Sequence, residues 1–382
     1  MTSQATSVGK LSTARQNSSL IKINLHLFNC GHGDTILVEL PRNRWGLIDC
    51  CLPERDGIRN RFFKFCDHLG IKTFDFIFQT HPDYDHYHGM QSVLERILAR
   101  GERLGYYIDT GLNALDAKHL MKNKPTGDNE YETLQQKLAD LDRAEQINWQ
   151  SLAARSIPLY PSGLRDIINF IPIGPDPRDR RRIISDDLRK LATNASARPI
   201  ANELSLVIVL TVKQDGQVFN MLLGADSGNI GLERAIAYWK TYAMEDGVDP
   251  AFDVIKIPHH GSIKSHVNSV CLTKRPGSGP EAAIASAGTR RALPDREVLK
   301  DYMLNGWNVY ATTTKRTPAS PSSLPLMLAN RGASPGVEIT SQTIHVSWCK
   351  SNGLTINPSS AKIMLEDLIH YETAPVGSAS KV

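Results

Sequence analysis

The chain has no apolar run close to the roughly 20 residues that a membrane-spanning helix needs. Its longest, residues 204–212, is the length of one strand, so no membrane partner is expected. Charge of one sign is lacking too. Lys and Arg number 44 against 40 Asp and Glu, a net +4, which is too slight to argue for nucleic acid by itself. Cysteine is sparse: Cys30, Cys50, Cys51, Cys66, Cys271 and Cys349 form no CxxC pair. That speaks against a zinc ribbon or a disulfide framework, and a reduced, cytoplasmic setting is the simpler expectation. Residues 1–20 hold Lys10 and Arg15 but no acid and no apolar core, unlike a secretory signal. An organelle transit peptide shares that composition; a disordered tail is the preferred reading.

What is present suits a globular protein. Apolar residues make up 41% and charged residues 22% of 382 positions, enough for one large domain or two ordinary ones. Residues 21–28 alternate, with Ile21, Ile23, Leu25 and Leu27 on one side and Lys22, Asn24 and His26 on the other, the mark of a half-buried strand. Strands are also expected at 35–40, 45–49, 74–79 and 106–109, and helices at 62–69 and 90–100, the latter stopped at Gly101. From 111 to 200 the character changes. Residues 131–155 read as a charged helix, and Arg178, Arg180, Arg181 and Arg182 form a solvated face or a phosphate-steering patch. This stretch reads as an insertion or lid governing substrate access. Beyond it, residues 204–212 and 218–223 suggest a hairpin around Gln214-Asp215-Gly216. Further strands are expected at 253–257, 282–287 and 307–312, helices at 232–242 and 296–304, and a closing hairpin at 337–340 and 343–348. The expected fold is α/β: a four-layer αββα sandwich, one sheet from each half, helices outside. The expected boundaries are a tail at 1–20, a domain at 21–350 and a weakly patterned extension at 351–382.

The chemistry concentrates in Thr80-His81-Pro82-Asp83-Tyr84-Asp85-His86-Tyr87-His88-Gly89. Imidazoles and carboxylates are ligands for zinc, manganese or iron. They are costly to bury unless paired or bound to a cation. A solvated polar loop is the bland alternative, and two later segments argue against it.

His81-x-Asp83-x-Asp85-His86 resembles the metal motif of the metallo-β-lactamase fold in its HxDxDH form. Leu222-Leu223-Gly224-Ala225-Asp226 resembles the strand that ends in that family's bridging Asp. Ile257-Pro258-His259-His260-Gly261-Ser262 resembles the HHGS segment of its ComEC-like branch, the hydrolase domain of DNA-uptake proteins and their stand-alone relatives. Asn29-Cys30-Gly31-His32-Gly33-Asp34-Thr35 is similar to that branch's opening turn, with His32 where Gln is usual. Asn202-Glu203-Leu204-Ser205 resembles its NxxS element. Any one motif is weak; five in order over residues 21–315 are specific.

The resemblance implies two divalent ions, manganese or zinc, and a hydroxide activated near neutral pH. His81 and Asp83 would face one metal, Asp85 and His86 the other, Asp226 would bridge them, and His259 or His260 would close the second site. Asn202 stands where the wider family has a His, and Asp83 replaces a His, so the first site is expected to hold at most one imidazole. Harder donors favour manganese over zinc. Asp85 and Asp226 are the expected catalytic carboxylates. Ser262, Lys264 and His88 are candidate substrate contacts, although Ser262 and Lys264 would equally cap a helix. Leu293-Pro294 occupies the place of a family His-Pro pair, for which His88 or His266 would have to substitute. Asp34 and Asp49 would orient a metal-ligating His or cap turns. His26, His68, His119, His345 and His370 have no motif around them, and the five tryptophans are scattered, which suits packing rather than base stacking.

The implied reaction is hydrolysis of a phosphodiester, in DNA or a smaller nucleotide. The alternatives are an ester, thioester or lactone on the same metals, and a non-enzymatic, partner-binding scaffold.

Overall fold

Alternation along the strands decides the architecture. The computed structural model describes residues 22–28, 30, 32–54, 57–111, 128–156, 158–178, 181–182, 185, 201–275, 281–286, 293–312, 343–349, 353–358 and 362–363. The first half supplies β1 Lys22–Phe28, β2 Ile36–Leu40, β3 Arg44–Ile48, β4 Phe76–Phe78, β5 Tyr106–Asp109 and β6 Asn148–Ser151. The second supplies β7 Ile168–Gly174, β8 Val207–Gln214, β9 Gln217–Leu223, β10 Val254–Lys256, β11 Ala282–Ala285 and β12 Asn308–Ala311. Three strands come from the C-terminal part: β13 Thr343–Cys349, β14 Gly353–Pro358 and β15 Lys362–Ile363.

One sheet has the order β14-β13-β1-β2-β3-β4-β5-β6 and the other β15-β12-β11-β10-β9-β8-β7. Every second side chain of each sheet enters one shared layer. Leu25, Val38, Phe76 and Phe78 meet Phe170, Leu210, Met221 and Ile284 there. The intervening residues face outward onto helices. Leu37, Leu47 and Ile77 pack on α1 Ile58–His68, α3 Met90–Ala99 and α4 Asp128–Arg143. Val209, Leu222 and Ile255 pack on α5 Asn229–Glu245 and α6 Arg296–Leu304. Three apolar layers between two sheets and two helix layers make the expected four-layer αββα sandwich. Each buried Phe or Leu stabilises it by about 1.5–3 kcal/mol. No helix among the described residues is long and apolar enough to cross a membrane.

The expected hairpin is present. Gln214 pairs Gln217, and Asp215 and Gly216 both take positive φ, as a two-residue Asp-Gly turn requires. Three expectations change. The charged helix ends at Arg143 instead of running to 155, because Glu145 turns left-handed and β6 then pairs with β5 in parallel. The stretch 111–200, read as an insertion, supplies the edge strands β6 and β7 of both sheets. Likewise the extension 351–382 contributes β14 to one sheet and β15 to the other. Of the expected elements, the tail at 1–20, residues 337–340 and residues 287–289 lie outside the described residues.

Candidate metal centre

The parallel strands β3, β4, β9, β10 and β11 all point their carboxyl ends at one place, the position where open α/β sheets gather ligands. Past β4 the chain crosses Thr80, His81 and Asp83 and enters the single-turn helix α2 Tyr84–Tyr87. That turn puts Asp85 and His86 side by side. Past β9, Ala225 adopts φ 48 and delivers Asp226. Past β10, His259 and His260 take successive left-handed conformations, φ 47 and 55. This sends two neighbouring imidazoles to opposite sides of one carboxylate.

Asp226 is that carboxylate. Its Oδ1 lies 3.4 Å from His86 Nε2 and 3.4 Å from His260 Nε2. Asp85 Oδ2 completes this side, 3.7 Å from His260 Nε2. The other oxygen, Oδ2, lies 4.0 Å from His81 Nε2 and 3.8 Å from His259 Nε2. His81 Nε2, His86 Nε2, His260 Nε2 and Asp226 Oδ1 are buried without any hydrogen bond. Converging polar atoms left unsatisfied cost free energy. A cation is the partner that suits lone pairs all aimed at one another. Asp85, His86, Asp226 and His260 offer donor atoms that all lie within 4.8 Å of one another, and two nitrogens with two oxygens match zinc or manganese.

The far nitrogen of each ring is engaged. His86 Nδ1 is 2.7 Å from Asp49 Oδ2. His260 Nδ1 donates to the Ser286 carbonyl at 2.9 Å. A carbonyl only accepts, so the proton sits on Nδ1 and Nε2 faces the centre. The Thr80 hydroxyl donates to Asp49 and stands 3.1 Å from His81 Nδ1. His259 Nδ1 is 2.5 Å from Ser265 Oγ. Behind His86 and His260 lies Asp34, buried and hydrogen-bonded to Lys256 Nζ and Ser286 Oγ. Gly33 before it has φ +132, and a Cβ there would run into the Asp85 carbonyl and the Cys51 thiol.

Electrostatics separate the rings. Burial pulls His86 and His260 down, but the carboxylates around them together outweigh it, Asp226 and Asp49 at His86 and Asp226, Asp85 and Asp34 at His260, and both end above the ordinary imidazole range. Burial wins at His81, which falls to about 3, and at His259. Burial would raise Asp226, yet the His260 and His86 rings hold it well below the usual carboxylate range. Asp85 is likewise held low by His260 and His32 against the effect of burial.

The structure brings His81, Asp85, His86, Asp226, His259 and His260 together. Both neighbouring histidines face Asp226, His260 toward Oδ1 and His259 toward Oδ2. Asn202 meets the site through His259, its amide nitrogen 3.3 Å from both ring nitrogens. Asp83 is buried at the start of α2, where its carboxylate acts on His81. His88 is turned to other partners, Tyr84 at 3.1 Å and Glu130 at 2.9 Å, and His266 pairs with Asp301 at 3.0 Å. Ser262 accepts from the Lys264 backbone nitrogen, and the Lys264 side chain is exposed. Sequence reasoning missed Lys256, whose only signal was a lysine inside the apolar run 253–257. It noted His32 only as a departure within the opening turn and gave it no role; its Nε2 stands 3.0 Å from Asp85 Oδ2.

No family model matches the chain, and no curated protein matches it. Among solved structures it is similar to the metallo-β-lactamase fold protein YhfI from Bacillus subtilis, at 10% identity over 76% of this chain and 96% of that one, TM-score 0.39. It is also similar to unliganded yeast PDE1, at 10% identity over 78% and 90%, TM-score 0.39. A third is a long form RNase Z from yeast, at 13% identity over 75% and 40%, TM-score 0.36. The overlap is loose, so the chemistry of the site rests on this chain's own residues.

Proposed function

We propose that this chain is a metal-dependent hydrolase of the ComEC-like branch and that it cleaves a phosphodiester, in DNA or a smaller nucleotide. The observation that carries the reading is the set of buried, unsatisfied atoms around Asp226: Nε2 of His81, His86 and His260, and Oδ1 of Asp226 itself. Asp85, His86, His260 and Asp226 would hold one divalent ion; His81, His259 and the second oxygen of Asp226 would hold another, with Asp83 beside His81. Bound there, the ions supply Lewis acidity and acidify water to a nucleophile near neutral pH. The chain does the positioning. Asp49 and Ser286 lock two rings by their Nδ1 atoms, and burial keeps bulk water from screening the centre. Asp85 is the most open of the four pocket donors, its side chain 18% exposed, and so faces whatever enters. The phosphodiester reading is supported by the five motifs and by Lys264, exposed on the turn beyond His260.

The test is hydrolysis of bis-p-nitrophenyl phosphate by metal-stripped protein refilled with manganese or zinc, beside an Asp85→Ala control. The expected outcome is metal-dependent turnover lost in the control. Turnover of a carboxylic ester or lactone alone would replace the phosphodiester with an acyl substrate. A protein that takes up no metal would leave a scaffold.

A further inference from the structure

One buried charge has no part in the chemistry just proposed. Lys256, the last residue of β10, is 1% exposed. Burial works against its ammonium, and the Asp34, Asp226 and Asp49 carboxylates together more than offset that, so its pKa is raised. The ammonium donates to Asp34 Oδ2 and reaches the Ala225 carbonyl, next to Asp226, at 3.5 Å. Asp34 Oδ1 accepts from Ser286 Oγ, and the Ser286 carbonyl holds His260 Nδ1 at 2.9 Å. Asp34 itself stands 3.9 Å from His86 Nδ1 and 3.8 Å from His260 Nδ1. Its backbone nitrogen donates to the Asp85 carbonyl at 3.1 Å. One ammonium is thus linked to all four members of the pocket: to Asp226 through Ala225, and to Asp85, His86 and His260 through Asp34.

We propose that Lys256 is a positioning residue for this centre: it pins Asp34 midway behind the His86 and His260 rings and so fixes both Nε2 atoms toward Asp226. This rests on the metal-centre reading above. Two considerations support it. A buried ion pair is seldom better for stability than two apolar side chains of the same volume, so a role in placement accounts for one at this position. Asp34, Asp49 and His86 also lie close enough together to attract a cation. The Lys256 ammonium already sits on Asp34, which leaves the outer pocket as the place for a divalent ion.

The experiment is calorimetric titration of the metal-stripped full chain with manganese and with zinc, for wild type, Lys256→Met and Lys256→Met/Asp34→Asn. Ring ¹⁵N spectra of His86 and His260 are taken on the same samples before metal is added. Lys256→Met leaves Asp34 buried and unpaired and is expected to be the least stable. The double variant leaves no unpaired charge and is expected to fold. It should still bind metal about 10–100-fold more weakly, with shifted or split ring signals. Wild-type affinity and wild-type ring signals in the double variant would mean the pair serves stability alone, and would overturn the proposal. If wild type itself takes up no metal, the metal centre fails and the ring signals decide the role of Lys256: unchanged in the double variant they overturn it, changed they uphold it.

Discussion

The two oxygens of Asp226 keep unequal company. On the Oδ1 side, two rings stand at 3.4 Å and Asp85 joins them. Their far nitrogens are held by a carboxylate and a carbonyl. On the Oδ2 side, His81 and His259 stand at 4.0 and 3.8 Å; the far nitrogen of His81 meets the Thr80 hydroxyl, and that of His259 meets the Ser265 hydroxyl and the Asn202 amide nitrogen. The His259 side chain is 19% exposed, whereas that of His260 is fully buried. An imidazole backed by a carboxylate is the more basic and better oriented ligand. On the two-ion reading proposed above, the Oδ1 side, with its closer and better backed rings, should therefore fill before the Oδ2 side.

The largest expected effect removes the comparison altogether. Asp226→Ala takes the shared carboxylate from both sides, and metal content should fall to that of stripped protein. One equivalent retained per chain would show that the sides do not share it. Next, Asp49→Ala unbacks His86 and should weaken the first binding step by about 10–100-fold. Ser265→Ala, which removes only a hydroxyl from His259, should weaken the second step by less than about tenfold. Equal losses in a two-step titration would erase the asymmetry. Gly33→Ala forces a methyl against Asp85 on the Oδ1 side. It should cost about 1–3 kcal/mol of stability by overpacking, read from denaturant melts, and should spare His81 and His259.

The smallest effect is the pH response of the metal-free chain, and it has opposite signs on the two sides. His86 and His260 have folded-state pKa values above the ordinary 6.5. Their stabilisation is full below 6.5 and is lost as pH rises through those raised values. His81 is lowered to about 3. The unfolded chain takes up its proton first, so stability falls as pH drops from 6.5 toward 3. Thermal melts should therefore lose their alkaline limb in His86→Gln and their acid limb in His81→Gln. The same limb lost in both would break the contrast.

Much of this was legible in the sequence. The near-continuous apolar runs at 204–212 and 74–79 marked β8 and β4, which are buried on both faces, and the motif residues named side chains that the fold gathers around Asp226. What stayed hidden has physical causes. β6 is Asn-Trp-Gln-Ser, mostly exposed at an edge, so backbone pairing alone defines it and no apolar rhythm announces it. β7 carries Pro172 and Gly174, which argue against a strand. It is an edge strand, and its register shifts between those two residues. The division of labour between His259 and His260 depends on two left-handed backbone conformations that non-glycine residues rarely adopt. Lys256 looked like an ordinary strand lysine because its partner Asp34 lies 222 residues away.

β1 is an interior strand only because β13 pairs along its whole length, from Lys22 with Cys349 to Phe28 with Thr343. Without β13 it would be the rim of its sheet, a row of open N–H and C=O groups beside Ile23, Leu25 and Leu27. Such a rim recruits other chains. A fragment ending before residue 343 is therefore expected to self-associate through β1, even though every residue gathered around Asp226 lies within it.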